Sequence, residues 1–365
     1  MKINAAYILD IVALCYLGGL LITGTMVNDY RKKPFLYAIG LTIVIILAEA
    51  MTILAGNAHW GMRNVQIVFN VIGFSLTPLI PIALSAIFDT EFLRSNKWLL
   101  IPTLVNSVAA FLSPLFAIVF YVDAGNQYIR GDFFLLFVAV YIFNTLFLVF
   151  STLRVAYKNH YSITRKVIAL TLFAVAGTSI QIFEPSLYFS WHCVTLSVFL
   201  YFTLLSEFDN SFDPLTGLYN RAAFDKIPKQ TMNHKAFSIV VLDIDDFKNV
   251  NDSYGHDYGD TVLKTVAAVI RDSFDKHFVC YRIGGDEFSV IGTVTDPEKI
   301  AYHLDNMTNA LAEKRAIDSH LPTVAAGFSI FHGGKAPEYQ KYFNDADDQM
   351  YKDKRRHKDA TMSQP

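Results

Sequence analysis

The chain is poor in cysteine: Cys15, Cys193 and Cys280 are three isolated residues among 365. They form no CxxC pair and no even framework, so neither a disulfide scaffold nor a cysteine zinc site is encoded. It also lacks net charge. Lys and Arg number 31 against 33 Asp and Glu, a formal charge of −2, which gives no signature of nucleic-acid binding and leaves nucleic acid out of the expected partners. Charge of either sign is scarce in the first 205 residues, which hold 20 of the 64 charged side chains. That scarcity excludes an ordinary soluble fold for this half, and the shift in composition marks a domain boundary.

Apolar runs take the place of charge. Seven approach the roughly 20 residues a bilayer span needs, at 6–27, 35–56, 64–88, 98–122, 132–155, 165–183 and 187–205. They predict an N-terminal all-α transmembrane bundle of seven helices over 1–205. The first run lacks a small-x-small cleavage site and reads as a span rather than a signal peptide. Loop charge sets the orientation. Arg31, Lys32, Lys33, Arg94, Lys97, Arg154, Lys158, Arg165 and Lys166 flank one side, and Lys2, Arg63 and Arg130 the other. The N-terminus is expected outside, and an odd number of spans places the rest of the chain in the cytoplasm. Pro78 and Pro81 predict a kink in the third span. No broken helix recurs in two halves, which argues against a transporter. Asp10, Glu49, Asn70, Gln181 and His192 fall in the outer half, with Glu184 just beyond the sixth span. Polar groups at that depth are costly; they imply either an outward pocket for an unidentified ligand or helix-to-helix hydrogen bonds.

Only "SEFDNSF" (206–212) separates the last run from the second half, 213–365. There "FSIVVLDI" (237–244) reads as a strand and 259–274 as a helix. "FVCYRI" and "FSVIG" flank a tight turn. A helix opens on Asp-Pro at 296, a strand follows at 323–331, and a closing helix spans 344–358. This is the split βαβ order of an α+β, ferredoxin-like or cyclase-palm fold, with an antiparallel hairpin in its sheet.

"CYRIGGDEFSVIG" (280–292) puts two acids at the hairpin tip. Asp243 ends the strand expected beside it, so Asp243, Asp286 and Glu287 converge on one sheet edge. Unscreened, they repel and raise one another's pKa. A divalent cation removes the conflict. Hard oxygen ligands in an open site suit Mg²⁺, with Mn²⁺ as the alternative, completed by substrate phosphates. Gly284 and Gly285 permit positive φ and let backbone amides approach a phosphate. Lys248, after Phe247 in the loop past Asp243, is positioned to meet phosphate charge. The pattern points to a nucleoside triphosphate, a metal and phosphoryl transfer.

"DPLTGLYNR" (213–221), "LDIDDFKNVNDSYGHDYGD" (242–260) and "RIGGDEF" (282–288) together resemble the GGDEF diguanylate cyclases. The resemblance implies a membrane-bound enzyme that joins two GTP into cyclic di-GMP. It implies a homodimer through these domains, in a bacterial plasma membrane. Asp243, Asp286 and the Ile244 carbonyl would be metal ligands, with Glu287 a second-metal ligand or near neighbour. Asp286 or Glu287 would help deprotonate the attacking 3′-hydroxyl. Asn251 and Asp260 would bond the guanine edge, His256 and Phe247 would line the pocket, and Lys248 and Lys354 would neutralise phosphate. The chain also departs from the family. Asp275 and Phe278 stand where an Arg-x-x-Asp inhibition motif is frequent, Ala325 stands where serine is common, and Lys358 replaces an arginine in "DKRRHK". The alternative is a catalytically inactive receptor that binds GTP or a protein partner.

Overall fold

The computed structural model describes residues 5–25, 27–57, 61–158, 164–183, 190–226, 236–334 and 339–362. They divide into two compact units, Met1–Asp209 and Asn210–Pro365.

The first unit is helical. Its elements are α1 (Ala5–Thr23), α2 (Asp29–Gly56), α3 (Arg63–Leu76), α4 (Leu79–Phe88), the short α5 (Thr90–Ser95), α6 (Ile101–Phe116), α7 (Phe134–Lys158), α8 (Thr164–Phe183) and α9 (Ser190–Asp209). Among the described residues, six helices are long and apolar enough to cross a membrane: Ala6–Thr23, Asp29–Gly56, Arg63–Phe88, Lys97–Phe116, Phe134–Tyr157 and Ser190–Asp209. Helix α8, over the expected sixth run, is not among them. The side chains of 178–183, its C-terminal part, lie outside the described residues.

The third run breaks between α3 and α4, where proline removes a backbone donor. Buried Asn144 crosses from α7 to bond the Pro78 carbonyl at 2.7 Å and Thr103 Oγ1 at 2.8 Å. The fourth run is shorter than its apolar stretch. Ala117 takes a left-handed turn at φ 52°, and the chain enters a hairpin, β1 (Phe120–Val122) with β2 (Tyr128–Arg130). Val119, Phe120 and Val122 are buried in the hairpin core, not in a span. A buried apolar triplet looks the same in either setting, so periodicity does not separate them. Asp10 and His192 bond each other at 2.6 Å. Glu184 and the side chain of Gln181 lie outside the described residues.

The second unit holds the short α10 (Arg221–Phe224), β3 (Phe237–Ile244), α11 (Phe247–Tyr254), α12 (His256–Ser273), β4 (Phe278–Arg282), β5 (Glu287–Gly292), α13 (Pro297–Ile317), β6 (Val324–Phe331) and α14 (Tyr339–Met362). The sheet is antiparallel throughout, in the order β4-β5-β3-β6. Every residue of β3 is buried, because helices cover both faces of the sheet. Val240, Leu242 and Ile244 join one core with Val266 and Ile270 of α12 and Met307 and Leu311 of α13. The alternate residues, Asp243 among them, face α14, as the two-residue period of a strand requires. Asp296 caps α13 by accepting the Glu298 amide at 3.0 Å, with Pro297 in the first turn. The stretch 206–212 is helical through Asp209, so α9 runs on past its apolar part.

Candidate active site

Register brings the acids together. Asp243 pairs with Glu287 across β3 and β5. Beside them, the Ile244 amide donates to the Asp286 carbonyl at 3.2 Å. The three carboxyl-bearing residues thus share one rim of the sheet.

The hairpin tip is tied down from a distant segment. Arg282 donates to the Gly285 carbonyl at 2.8 and 3.2 Å and to the two carboxylate oxygens of Asp213 at 3.1 and 3.3 Å. Asp213 also accepts from the Thr216 amide and hydroxyl at 2.9 and 2.7 Å. Burial alone would raise the Asp213 carboxyl, but the Thr216 and Arg282 donors outweigh it and hold the group below the usual aspartate range. Sequence reasoning gave neither Asp213 nor Arg282 a role. The only trace was an acid before a turn-forming Pro and a base before Gly-Gly.

Neither Gly284 nor Gly285 has positive φ. A Cβ at Gly284 would come within 2.6 Å of Glu287 Oε2, so a larger residue there would displace the Glu287 side chain. At Gly285 a Cβ would meet nothing within 4 Å.

Helix α14 lays basic groups over the rim. Lys354 Nζ pairs with Asp243 Oδ1, and Lys358 Nζ lies 3.6 Å from Asp246. Burial, reinforced by the charges of Asp286 and Asp245, pushes Asp243 above the ordinary carboxylate range despite Lys354. Burial works against the Lys354 ammonium, but Asp243 holds its pKa above the usual lysine value. Glu287 is exposed at the rim. Partial loss of hydration and then the Asp243 and Asp286 charges push its carboxyl up. Buried Asp245 accepts from Thr323 Oγ1 at 2.5 Å and stands 2.6 Å from His357 Nδ1, which fixes the strand end to α14.

The remaining expected residues lie on α11 and α12. Lys248 is exposed in the first turn of α11, on a helix and not in a loop. Asn251 and Phe247 are half-buried on the same helix, and His256 and Asp260 are exposed on α12. Asn251 packs tightly on Gly259: a Cβ there would fall 1.9 Å from Asn251 Oδ1.

Among the described residues, no three His, Cys, Asp or Glu side chains converge closely enough to enclose a cation by themselves. Two carboxylates and a backbone carbonyl could supply part of a Mg²⁺ shell and leave positions for phosphate oxygens. Burial first, and neighbouring carboxylate charge after it, push Asp243 and Glu287 up, and a cation bound there would relieve the charge part of that push.

Residues 210–360 match the family described as diguanylate cyclase, GGDEF domain. An uncharacterized membrane protein of Staphylococcus aureus is 29% identical over 184 residues, 47% of this chain and 51% of that protein. The chain spans about half the length of the curated relatives it matches. The GGDEF domain of DgcB from Caulobacter crescentus, solved in complex with c-di-GMP, is 29% identical, covering 40% of this chain and 88% of that one, with a TM-score of 0.35. Its coiled-coil and GGDEF form gives 28%, 44%, 91% and 0.39. Behind its apolar helices, the chain therefore matches a GGDEF domain over residues 210–360.

Proposed function

We propose that the protein is a membrane-bound diguanylate cyclase. Each C-terminal unit holds one GTP, and two units of a homodimer face each other. Two attacks of a 3′-oxygen on an α-phosphorus form two phosphodiester bonds, giving cyclic di-GMP and two pyrophosphates. The observation that carries this reading is the acid rim of Asp243, Asp286 and Glu287 on a strand and hairpin in register.

Asp243, Asp286 and the Ile244 carbonyl would hold Mg²⁺, with Glu287 beside them. Bound there, the cation neutralises phosphate charge and polarises the phosphoryl group. Glu287 or Asp286, both at the rim, would accept the 3′-hydroxyl proton; partial burial and then the Asp243 and Asp286 charges push the Glu287 carboxyl up. Lys248 and Lys354 meet the triphosphate. Asn251 and Asp260 offer the donor and acceptor that guanine needs, and adenine would leave them unpaired. Phe247, His256, Gly284, Gly285 and Lys358 complete the nucleotide site.

We place residues 1–205 in the bacterial plasma membrane with α8 as a seventh span, the N-terminus outside and residues 213–365 in the cytoplasm. A GTP-binding receptor without turnover is the second reading. It is favoured by the pairing of Lys354 with Asp243, which engages an expected phosphate ligand, and of Lys358 with Asp246. Product analysis of the full-length protein in nanodiscs with GTP and Mg²⁺ separates the two. The enzyme reading requires cyclic di-GMP, lost at least about 100-fold in Asp286→Ala. GTP binding with no product establishes the receptor.

A further inference from the structure

The helical unit contains a cavity of about 690 Å³, within the roughly 300–1,000 Å³ of small-molecule sites. It lies where the C-terminal end of α2, the length of α3, the N-terminal parts of α7 and α9, and the β1–β2 hairpin meet. The hairpin is fixed there. Arg63 donates to the Val122 and Asp123 carbonyls at 2.8 to 3.1 Å, and Asn126 Nδ2 donates to the Ala55 carbonyl at 2.7 Å.

One wall is aromatic and ordered. Phe74 stacks on Tyr128 at 6.2 Å and meets Phe134 and Phe137 edge-on at 6.1 and 4.9 Å. Trp191 of α9 adds a further ring. The polar lining includes Glu49 and Arg130, one charge of each sign. Gln66, 5% exposed, lines the cavity, and its Oε1 has no hydrogen-bond partner among the described residues; the same holds for Ser190 Oγ. Buried polar atoms left unmet are costly, and a ligand donor removes that cost.

We infer that this cavity binds a small aromatic zwitterion, of the class of an aromatic amino acid or aromatic dipeptide. Its ring lies against Phe74, Phe137 and Trp191. Its ammonium faces Glu49, its carboxylate faces Arg130, and its donors meet Gln66 Oε1. A preformed aromatic wall with few placed polar groups is the usual make-up of such a site, and a lining with both signs of charge, its Arg130 stacked 4.8 Å over Phe134, suits a ligand carrying both. Ligand contact with Trp191 and Val194 falls on the helix whose other end leads into the GGDEF unit. Control of product formation by the ligand rests on the cyclase reading; binding does not.

The test measures binding of radiolabelled phenylalanine and phenylalanyl-phenylalanine to the full-length protein in nanodiscs, without nucleotide. At least one of the two is expected to bind saturably, one per chain. Phenethylamine and phenylpropionate, each with a single charge, should compete at least about tenfold more weakly, the worth of one charge-assisted hydrogen bond. Glu49→Gln and Arg130→Gln should weaken binding by a similar factor, and Glu91→Gln should not. Gly73→Leu provides a variant that keeps the helix. A Cβ at this cavity-lining glycine meets nothing within 4 Å, so the larger side chain fills the cavity and should abolish binding. Absence of saturable binding by both probes overturns the proposal, as does binding untouched by Gly73→Leu, or single-charge analogues that bind equally well. A chain that binds a probe but forms no cyclic di-GMP keeps this site and overturns the cyclase reading. A chain that forms cyclic di-GMP but binds neither probe does the reverse.

Discussion

Asp213 and Arg282 stand 69 residues apart and fix the tip that carries the acids. Because Asp213 is held below the usual aspartate range, its contribution to stability is fully present above about pH 4, the ordinary aspartate value. It is lost as pH falls through the lower folded value. Asp213→Asn should cost on the order of 1 kcal/mol at neutral pH, a modest figure because the pair is partly screened by solvent. The gap from wild type should be level from pH 6 to 8 and close below pH 4, as denaturant melts would show. Gly259→Ala makes a different residue-level prediction. A Cβ 1.9 Å from Asn251 Oδ1 must displace that amide, while alanine favours the helix. The KM for GTP should rise several-fold with little change in Tm; an unaltered KM would remove Asn251 from the guanine site. Asp243, Asp286 and Glu287 were legible in the sequence because strand alternation and a Gly-Gly turn place them without tertiary knowledge. Arg282 with Asp213, and Asp245 with Thr323 and His357, were not, since each joins segments far apart in the chain.

The sheet of the second unit was legible element by element, because its strands alternate or run apolar between clear turn signals. What escaped was the reason for particular glycines. Gly327 on β6 is one: a Cβ would lie 2.2 Å from the Ala346 carbonyl oxygen and 2.3 Å from the Met350 amide of α14. Backbone cannot yield as a side-chain tip does, so Gly327→Ala should destabilise the domain by about 1–3 kcal/mol. It should also loosen Lys354, carried on the same helix. Equal Tm values for variant and wild type would show that α14 shifts freely. In the first unit, the β1–β2 hairpin was missed for a physical reason. Val119, Phe120 and Val122 extend an apolar run without interruption, and only the turn at Ala117, invisible in composition, ends the helix.

Across the whole molecule, α9 joins the apolar unit to the GGDEF unit through the chain itself. Near its end, Asp209 pairs with Arg31 at 2.7 Å, both side chains 6% exposed, and Arg31 lies over Phe88 and Phe208. Removing one partner strands a buried charge, so Asp209→Ala should destabilise the helical unit by roughly 3–5 kcal/mol, read as loss of Tm in nanodiscs. The position where the family often carries an inhibitory acid is Phe278, 2% exposed in the core. Product should therefore leave the rate of the full chain unchanged at concentrations well above those formed, and strong inhibition in an initial-rate assay would contradict that. A rim of mutually repelling acids is suited to receive a cation-loaded guanine nucleotide. Calorimetric titration of the full-length protein with a non-cleavable α,β-methylene GTP analogue, with and without Mg²⁺, tests it most directly. Affinity should fall at least about tenfold without Mg²⁺, and Asp243→Asn should flatten that dependence. Equal affinity in both conditions would contradict it.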